Sequence, residues 1–236
     1  MKHLVALGLL AAFGSAQAVV LFSNGPVVDG SGLSILNSPT DTTLGVGSNA
    51  NSTLADNFTV VGPAWSVQSL DFFGYQSNAV GFTFTSVTWS LRSGTDVNTA
   101  AVLASGTTPV TSGGLAGYRV TSTTLTSTTR AIWGMNADIP DIVLPAGNYF
   151  VTWALAGTAV SGPFVPPVVG SVGTGNALQS LSAGAFATLQ MGASLVPFDV
   201  PFVVQGSVVP EPSTIALMLV GGMAVVGAAR RRRQVD

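Results

Sequence analysis

A two-residue alternation of apolar and hydroxyl-bearing side chains runs through the middle of the chain and leaves little choice of fold. It is cleanest in Thr83–Arg92, where one set of alternate positions is apolar and the other is polar: Val87, Trp89 and Leu91 against Thr88, Ser90 and Arg92. Side chains alternate between the two faces of a β-strand, so this pattern predicts strands with one buried face. Ala55–Val61 and Trp65–Gln76 share the pattern.

A second patterned stretch lies later in the chain. After Leu144, Pro145-Ala146-Gly147-Asn148 is a turn sequence, and alternate apolar residues then follow from Tyr149 to Leu155. This order resembles the late hairpins of jelly-roll sandwiches in bacterial secreted accessory domains. We therefore predict an all-β ectodomain over residues 19–209, a jelly-roll-like antiparallel β-sandwich, plus an N-terminal signal-peptide helix and a single C-terminal transmembrane helix.

Weaker segments complete the prediction. We expect short strands at Val19–Phe22, at Leu33–Leu36 and at Ala100–Ala104, and a hydroxyl-rich edge or solvent-facing strand at Tyr118–Thr129. Residues 157–175 contain three prolines and many glycines, which indicates a long loop. Phe198–Val209 reads as the last strand, and Pro201 confines it to a sheet edge or marks its start.

The N-terminus has the composition of a secretory signal peptide. Lys2 precedes an apolar run over Leu4–Phe13, and small residues stand at Ala16 and Ala18. We predict removal of residues 1–18 by signal peptidase, with cleavage after Ala18. An uncleaved N-terminal membrane anchor would need a longer apolar run.

The C-terminus has three parts in a fixed order. Pro210, Glu211 and Pro212 come first, an uncharged apolar span follows over residues 213–229, and Arg230, Arg231, Arg232 and Arg233 end it. The span is slightly shorter than the roughly 20 residues that a bilayer core requires, and local thinning of the bilayer or snorkelling arginines can cover the difference. By the positive-inside rule the arginines stay cytoplasmic. On these residues alone, a plain single-pass anchor is the alternative.

The same three parts resemble the PEP-CTERM sorting signal of exosortase substrates. The resemblance implies that residues 210–236 are a sorting tail, which an exosortase of a Gram-negative bacterium recognises and removes near the motif. It also implies transient anchoring in the inner membrane, followed by transfer to the cell surface or an exopolysaccharide matrix. It says nothing about what the ectodomain does.

The composition of the ectodomain excludes several kinds of chemistry. The chain has no cysteine, and its single histidine, His3, and single lysine, Lys2, lie in the signal peptide. Thiol nucleophiles, Ser-His-Asp triads, Schiff-base lysines and the usual zinc, haem and copper ligand sets are therefore excluded. We expect no cofactor and no metal site.

The charges of the ectodomain are few and mostly negative. It holds three arginines and eight aspartates: Arg92, Arg119 and Arg130 against Asp29, Asp41, Asp56, Asp71, Asp96, Asp138, Asp141 and Asp199. A nucleic-acid partner would require a basic surface, so nucleic-acid binding is disfavoured. A weakly acidic, hydroxyl-rich surface suits a protein that works among polysaccharides.

Aspartates are the remaining candidates for catalysis. Asp138 and Asp141 are closest in sequence, although they flank Pro140 and fit a turn. Asp71 lies within an apolar strand, where burial would raise its pKa, or where it accepts structural hydrogen bonds from a neighbouring loop. We expect a non-catalytic surface or matrix protein associated with exopolysaccharide and biofilm. The alternative is a secreted glycan-active enzyme that uses two carboxyl groups.

Overall fold

The computed structural model describes residues 18–37, 41–192 and 195–210, and in these ranges the regular secondary structure is all β. The sixteen strands are β1 (Val19–Ser23), β2 (Leu33–Leu36), β3 (Val46–Gly47), β4 (Ser52–Val60), β5 (Trp65–Gly74), β6 (Phe84–Ser93), β7 (Ala101–Pro109), β8 (Thr111–Thr121), β9 (Ala131–Leu144), β10 (Gly147–Gly157), β11 (Phe164–Val165), β12 (Leu178–Leu181), β13 (Ala187–Thr188), β14 (Gln190–Met191), β15 (Val196–Pro197) and β16 (Phe202–Val208). The predicted all-β class is confirmed for this part of the chain.

The predicted signal-peptide helix lies mostly, and the predicted transmembrane helix wholly, outside the described residues. Of the signal peptide only Ala18 is described, and the predicted transmembrane helix spans 213–229. Within the described ranges, no helix has the length and apolar character needed to cross a membrane.

Most strands belong to two six-stranded sheets. The first sheet has the order β1-β16-β5-β9-β8-β2, and the second has the order β13-β12-β4-β10-β6-β7. All neighbours pair antiparallel except β2 and β8, which are parallel. Two two-stranded sheets, β3 with β11 and β14 with β15, complete the described structure.

The antiparallel pairs are nested along the chain. From the outside inward they are β1 with β16, β4 with β10, β5 with β9, and β6 with β7. Successive pairs alternate between the first sheet and the second. From β4 to β6 and again from β9 to β10, the chain therefore crosses from one sheet to the other at each successive pair.

One apolar core joins the two sheets. Phe72 of β5 and Phe202 of β16, both on the first sheet, lie 5.3 and 5.7 Å from the ring of Trp153 of β10 on the second. All three side chains are fully buried. The alternation predicted for β6 is confirmed, because Val87, Trp89 and Leu91 join this core while Arg92 points away from it.

Two predicted strands have wrong boundaries, and the turn predicted around Pro140 is absent. β7 continues through Ser105-Gly106 to Pro109, because residues 101–109 pair with β6 along most of its length. β8 begins at Thr111, in a glycine-rich segment, and ends at Thr121. Most of the predicted strand Tyr118–Thr129 therefore forms turns instead of an edge strand. β9 runs without a break from Ala131 to Leu144 and includes Pro140.

The last strand is central in its sheet. β16 lies between β1 and β5 and begins immediately after Pro201, so the proline marks the start of the strand. The adjacent β5 contributes Leu70, Phe72 and Gly74 to one face, as predicted.

Candidate functional site

The two predicted processing junctions lie at the same end of neighbouring strands. Val19 of β1 pairs with Gly206 of β16, and Ala18, just before it, is exposed. At the other junction the Val209 N–H donates to the carbonyl oxygen of Ala64 at 2.7 Å, and the next residue, Pro210, is exposed. The folded domain therefore continues up to the residue before the Pro-Glu-Pro sequence. Ala16, Glu211, Pro212 and the four arginines lie outside the described residues.

Asp71 is a hydrogen-bond acceptor on the outer face of the first sheet. Its Oδ1 accepts from Asn136 Nδ2 of β9 at 2.6 Å, and its Oδ2 accepts from Gln205 Nε2 of β16. These three side chains lie on adjacent strands and link β9, β5 and β16. The arrangement fits the structural alternative predicted for Asp71, with the donors coming from neighbouring strands instead of a loop.

Asp138 and Asp141 lie on the surface within β9. The pairing of β5 with β9 shifts register here: Ser69 pairs with Asp138 and Val67 with Ile142, so the segment Ile139–Asp141 bulges opposite Gln68. The expectation that these aspartates flank a turn is wrong, because Pro140 is accommodated in the bulge. Both side chains are exposed to solvent, and no pocket encloses them among the described clefts.

Asp56 of β4 is a buried carboxyl group that the sequence reading missed. It is 1% exposed and accepts hydrogen bonds from Asn24 Nδ2 at 2.6 Å and from the Val200 and Asn57 N–H groups. Burial, and then the negative charge of nearby Asp199, raise the pKa of Asp56 to about 7. The signal was present, since Asp56 is in phase with the core residues Leu54 and Phe58.

Arg119 of β8 forms a second buried polar centre that the sequence did not reveal. Its Nη2 donates to Asp41 Oδ2 at 2.9 Å and to the Thr43 carbonyl at 2.6 Å, and its Nε donates to the Leu44 carbonyl at 2.7 Å. Arg119 and Asp41 are 2% and 3% exposed. These contacts hold residues 41–44 against the first sheet, and Asp41 neutralises the charge of Arg119.

Metal binding has no support in the described residues, where no three aspartate, glutamate, histidine or cysteine side chains come together. Of the aspartates singled out from the sequence, Asp71 and Asp138 lie at neighbouring positions on the outer face of the first sheet, because Asp71 pairs with Asn136 and Ser69 pairs with Asp138 across β5 and β9. None of the described clefts is lined by Asp71, Asp138 or Asp141.

Comparison with known proteins identifies the C-terminal part of the chain. Residues 208–233 match the family model of the PEP-CTERM protein-sorting motif. The match covers the Pro-Glu-Pro sequence, the apolar span and the arginines, and it begins at Val208, the last residue of β16. No curated protein matches the chain. The chain thus carries a C-terminal PEP-CTERM sorting motif, which marks an exported protein that is anchored by its C-terminus before exosortase cleavage.

Proposed function

We propose that this protein is a non-catalytic component of the cell surface or extracellular matrix of a Gram-negative bacterium, associated with exopolysaccharide in a biofilm. The observation that carries the proposal is the direct connection of the β domain to the sorting motif, which begins at Val208 within the last strand. The domain is thus the cargo that the tail delivers. Its low charge and hydroxyl-rich surface suit contact with polysaccharides.

The nested, sheet-alternating strand pairs support a jelly-roll-like sandwich as the fold of this cargo. In the proposed route, signal peptidase removes residues 1–18 and the tail holds the domain at the inner membrane, with Arg230–Arg233 in the cytoplasm. Exosortase then cleaves near Pro210–Pro212 and frees residues 19–209 for the surface or matrix.

A pull-down tests the association with polysaccharide. The full chain, in a non-ionic detergent, is incubated with immobilised exopolysaccharide from the producing bacterium, with bovine albumin as the control protein. We expect retention well above that of albumin. Retention at the albumin level would remove the association from the proposal.

The alternative function is a secreted glycan-active enzyme. The observation in its favour is Asp56, whose pKa of about 7 is typical of a general acid, with Asp199 as its acidic neighbour. Against it, Asp56 is almost fully buried and is already hydrogen-bonded to three donors, so a substrate has no access to it.

Activity measurements separate the two functions. If the alternative holds, the chain hydrolyses at least one member of a panel of glycans, and Asn in place of Asp56, Asp71, Asp138 or Asp141 abolishes that hydrolysis. We expect the unmodified chain to be inactive on the whole panel. Hydrolysis that one of these substitutions abolishes would refute the non-catalytic proposal.

A further inference from the structure

A cleft lies on the outer face of the second sheet, away from the apolar core. Its volume is about 350 Å³, and its lining includes Thr53, Arg92, Asn98, Ser180 and Phe186. Small-molecule sites usually occupy roughly 300–1,000 Å³. The cleft is therefore large enough for a small polar ligand or one part of a longer polymer.

Arg92 is the charged group of this cleft. Its Nε donates to Ser90 Oγ at 3.1 Å and its Nη1 donates to the Val97 carbonyl at 3.2 Å, which fixes the guanidinium. No ion pair of Arg92 with an acid occurs in the described part of the chain, and its Nη2 donates to no described residue. In contrast, Asp41 neutralises Arg119. Arg92 thus presents an uncompensated positive charge and free donors.

Phe186 is held in position beside Arg92. Asn98 donates through Nδ2 to the Phe186 carbonyl at 3.1 Å and accepts from the Phe186 N–H at 2.8 Å. The guanidinium carbon of Arg92 lies 5.8 Å from the centre of the Phe186 ring, within the range of a cation–π contact. Because the guanidinium of Arg92 and the backbone of Phe186 are held by hydrogen bonds before any ligand arrives, less conformational entropy is lost on binding.

The same face of the sheet offers a second polar cavity. This cavity is about 190 Å³ in volume and is lined by Asn57, Thr59, Asn148 and Phe150, together with Gly94 and Thr95. Phe150 pairs with Arg92 across β10 and β6, so the two cavities are near neighbours on this surface. Amide and hydroxyl groups on both sides of Arg92 suit a ligand that carries hydroxyl groups as well as a negative charge.

We propose that the cleft at Arg92 binds a carboxylate-bearing sugar unit of an acidic polysaccharide. The guanidinium receives the carboxylate through its free N–H groups, as Arg does in bidentate pairs, and the ring of Phe186 and the hydroxyl of Thr53 border the sugar. This inference rests on the proposed association with exopolysaccharide and specifies its site and its charge.

The first test uses the unmodified chain, so that folding of a variant plays no part. The full chain in non-ionic detergent is passed over immobilised polygalacturonate and over the same polymer after chemical reduction of its carboxyl groups. We expect retention on the acidic polymer and at least about tenfold weaker retention on the reduced one, because a charge-assisted hydrogen-bonded contact is lost. Equal retention on both polymers would overturn the proposal.

The second test compares Arg92→Gln with Arg130→Gln. Each substitution removes one positive charge, but Arg130 precedes β9 of the first sheet and does not line the cleft. We expect Arg92→Gln to lose retention on polygalacturonate by about tenfold and Arg130→Gln to keep it. Circular dichroism melting of both variants verifies that they are folded. Equal losses in two folded variants would indicate unspecific charge attraction and would refute the site.

The exopolysaccharide of the producing bacterium separates this inference from the proposed function. If that polymer retains both the unmodified chain and Arg92→Gln equally, the site at Arg92 is refuted while the association with exopolysaccharide stands. If neither that polymer nor polygalacturonate retains the unmodified chain, both proposals fall.

Discussion

Asp56 is the residue whose ionisation should affect stability most. Its pKa is raised to about 7 in the folded protein, against 3.8 for an unperturbed aspartate. Between about pH 4 and pH 7 the folded state keeps a proton that the unfolded state releases, so the free energy of unfolding falls as the pH rises through this window. The full effect is about 4 kcal/mol at about 1.4 kcal/mol per pKa unit.

Asp56→Asn should remove this pH dependence. We expect the difference in the free energy of unfolding between the unmodified chain and the variant to change by a few kcal/mol between pH 4 and pH 7.5. Urea unfolding at several pH values measures it, and Asp141→Asn, at an exposed position, is the control. Parallel pH profiles for the unmodified chain and Asp56→Asn would show that Asp56 titrates normally.

Arg119 should be far more sensitive to substitution than Arg130. Arg119→Ala leaves the buried carboxylate of Asp41 and the carbonyls of Thr43 and Leu44 without their donor. Removing one partner of a buried ion pair costs about 3–5 kcal/mol of stability. Chemical denaturation should show this loss, against about 0.5 kcal/mol or less for Arg130→Ala. Similar losses for both variants would contradict the structural role assigned to Arg119.

At the scale of elements, β16 depends on a glycine where its pairing with β5 changes register. The register shifts between Gln205 and Gly206, and a Cβ on Gly206 would overlap the carbonyl oxygen of Ser66 on β5. Overpacking of this kind costs about 1–3 kcal/mol. Gly206→Ala should therefore lower the melting temperature by several degrees, as a thermal melt followed by circular dichroism would show.

Gly30→Ala is the matched control for β16. A Cβ on Gly30 meets no atom within 4 Å, and its backbone does not require a glycine. We expect its melting temperature to stay close to that of the unmodified chain. If Gly206→Ala melts like Gly30→Ala, the two strands can separate slightly without loss, and the close approach at Ser66 does not limit stability.

Strands that bury one face could be predicted from the sequence, and strand ends could not. The alternation of apolar residues is sufficient to predict β6 and β10, because core positions such as Leu91 and Trp153 must be apolar. The end of β7 was missed because its extension depends on hydrogen bonding to β6, and backbone pairing leaves little trace in side-chain type. The bulge in β9 at Pro140 depends on its partner β5 in the same way.

At the scale of the whole molecule, the nested topology brings the ends of the chain together. β1 and β16 form the outermost pair, so the predicted signal-peptide junction and the start of the sorting motif lie beside each other at one end of the domain. The tail could be recognised from sequence because its signal is local. The cleft at Arg92 could not, because it requires β12, β4, β10 and β6 to follow one another in one sheet, with residues of two loops beside them.

The sorting route gives the last prediction, which concerns Glu211. Glu211 is the chain's single glutamate and the only charge between Asp199 and Arg230. If exosortase recognises the Pro-Glu-Pro sequence, Glu211→Ala leaves a tail that behaves as an ordinary membrane anchor. We expect the full-length variant to accumulate in the inner membrane, measured by immunoblots of membrane, surface and medium fractions.

Ser213→Ala is the neighbouring control for Glu211→Ala, because it keeps the Pro-Glu-Pro sequence and every charge of the tail. It should be processed and released like the unmodified chain. Normal release of Glu211→Ala would show that the glutamate does not take part in recognition. Accumulation of both variants would instead indicate that processing depends on the start of the apolar span. The pattern of the two variants therefore identifies which part of the tail directs the domain to its destination.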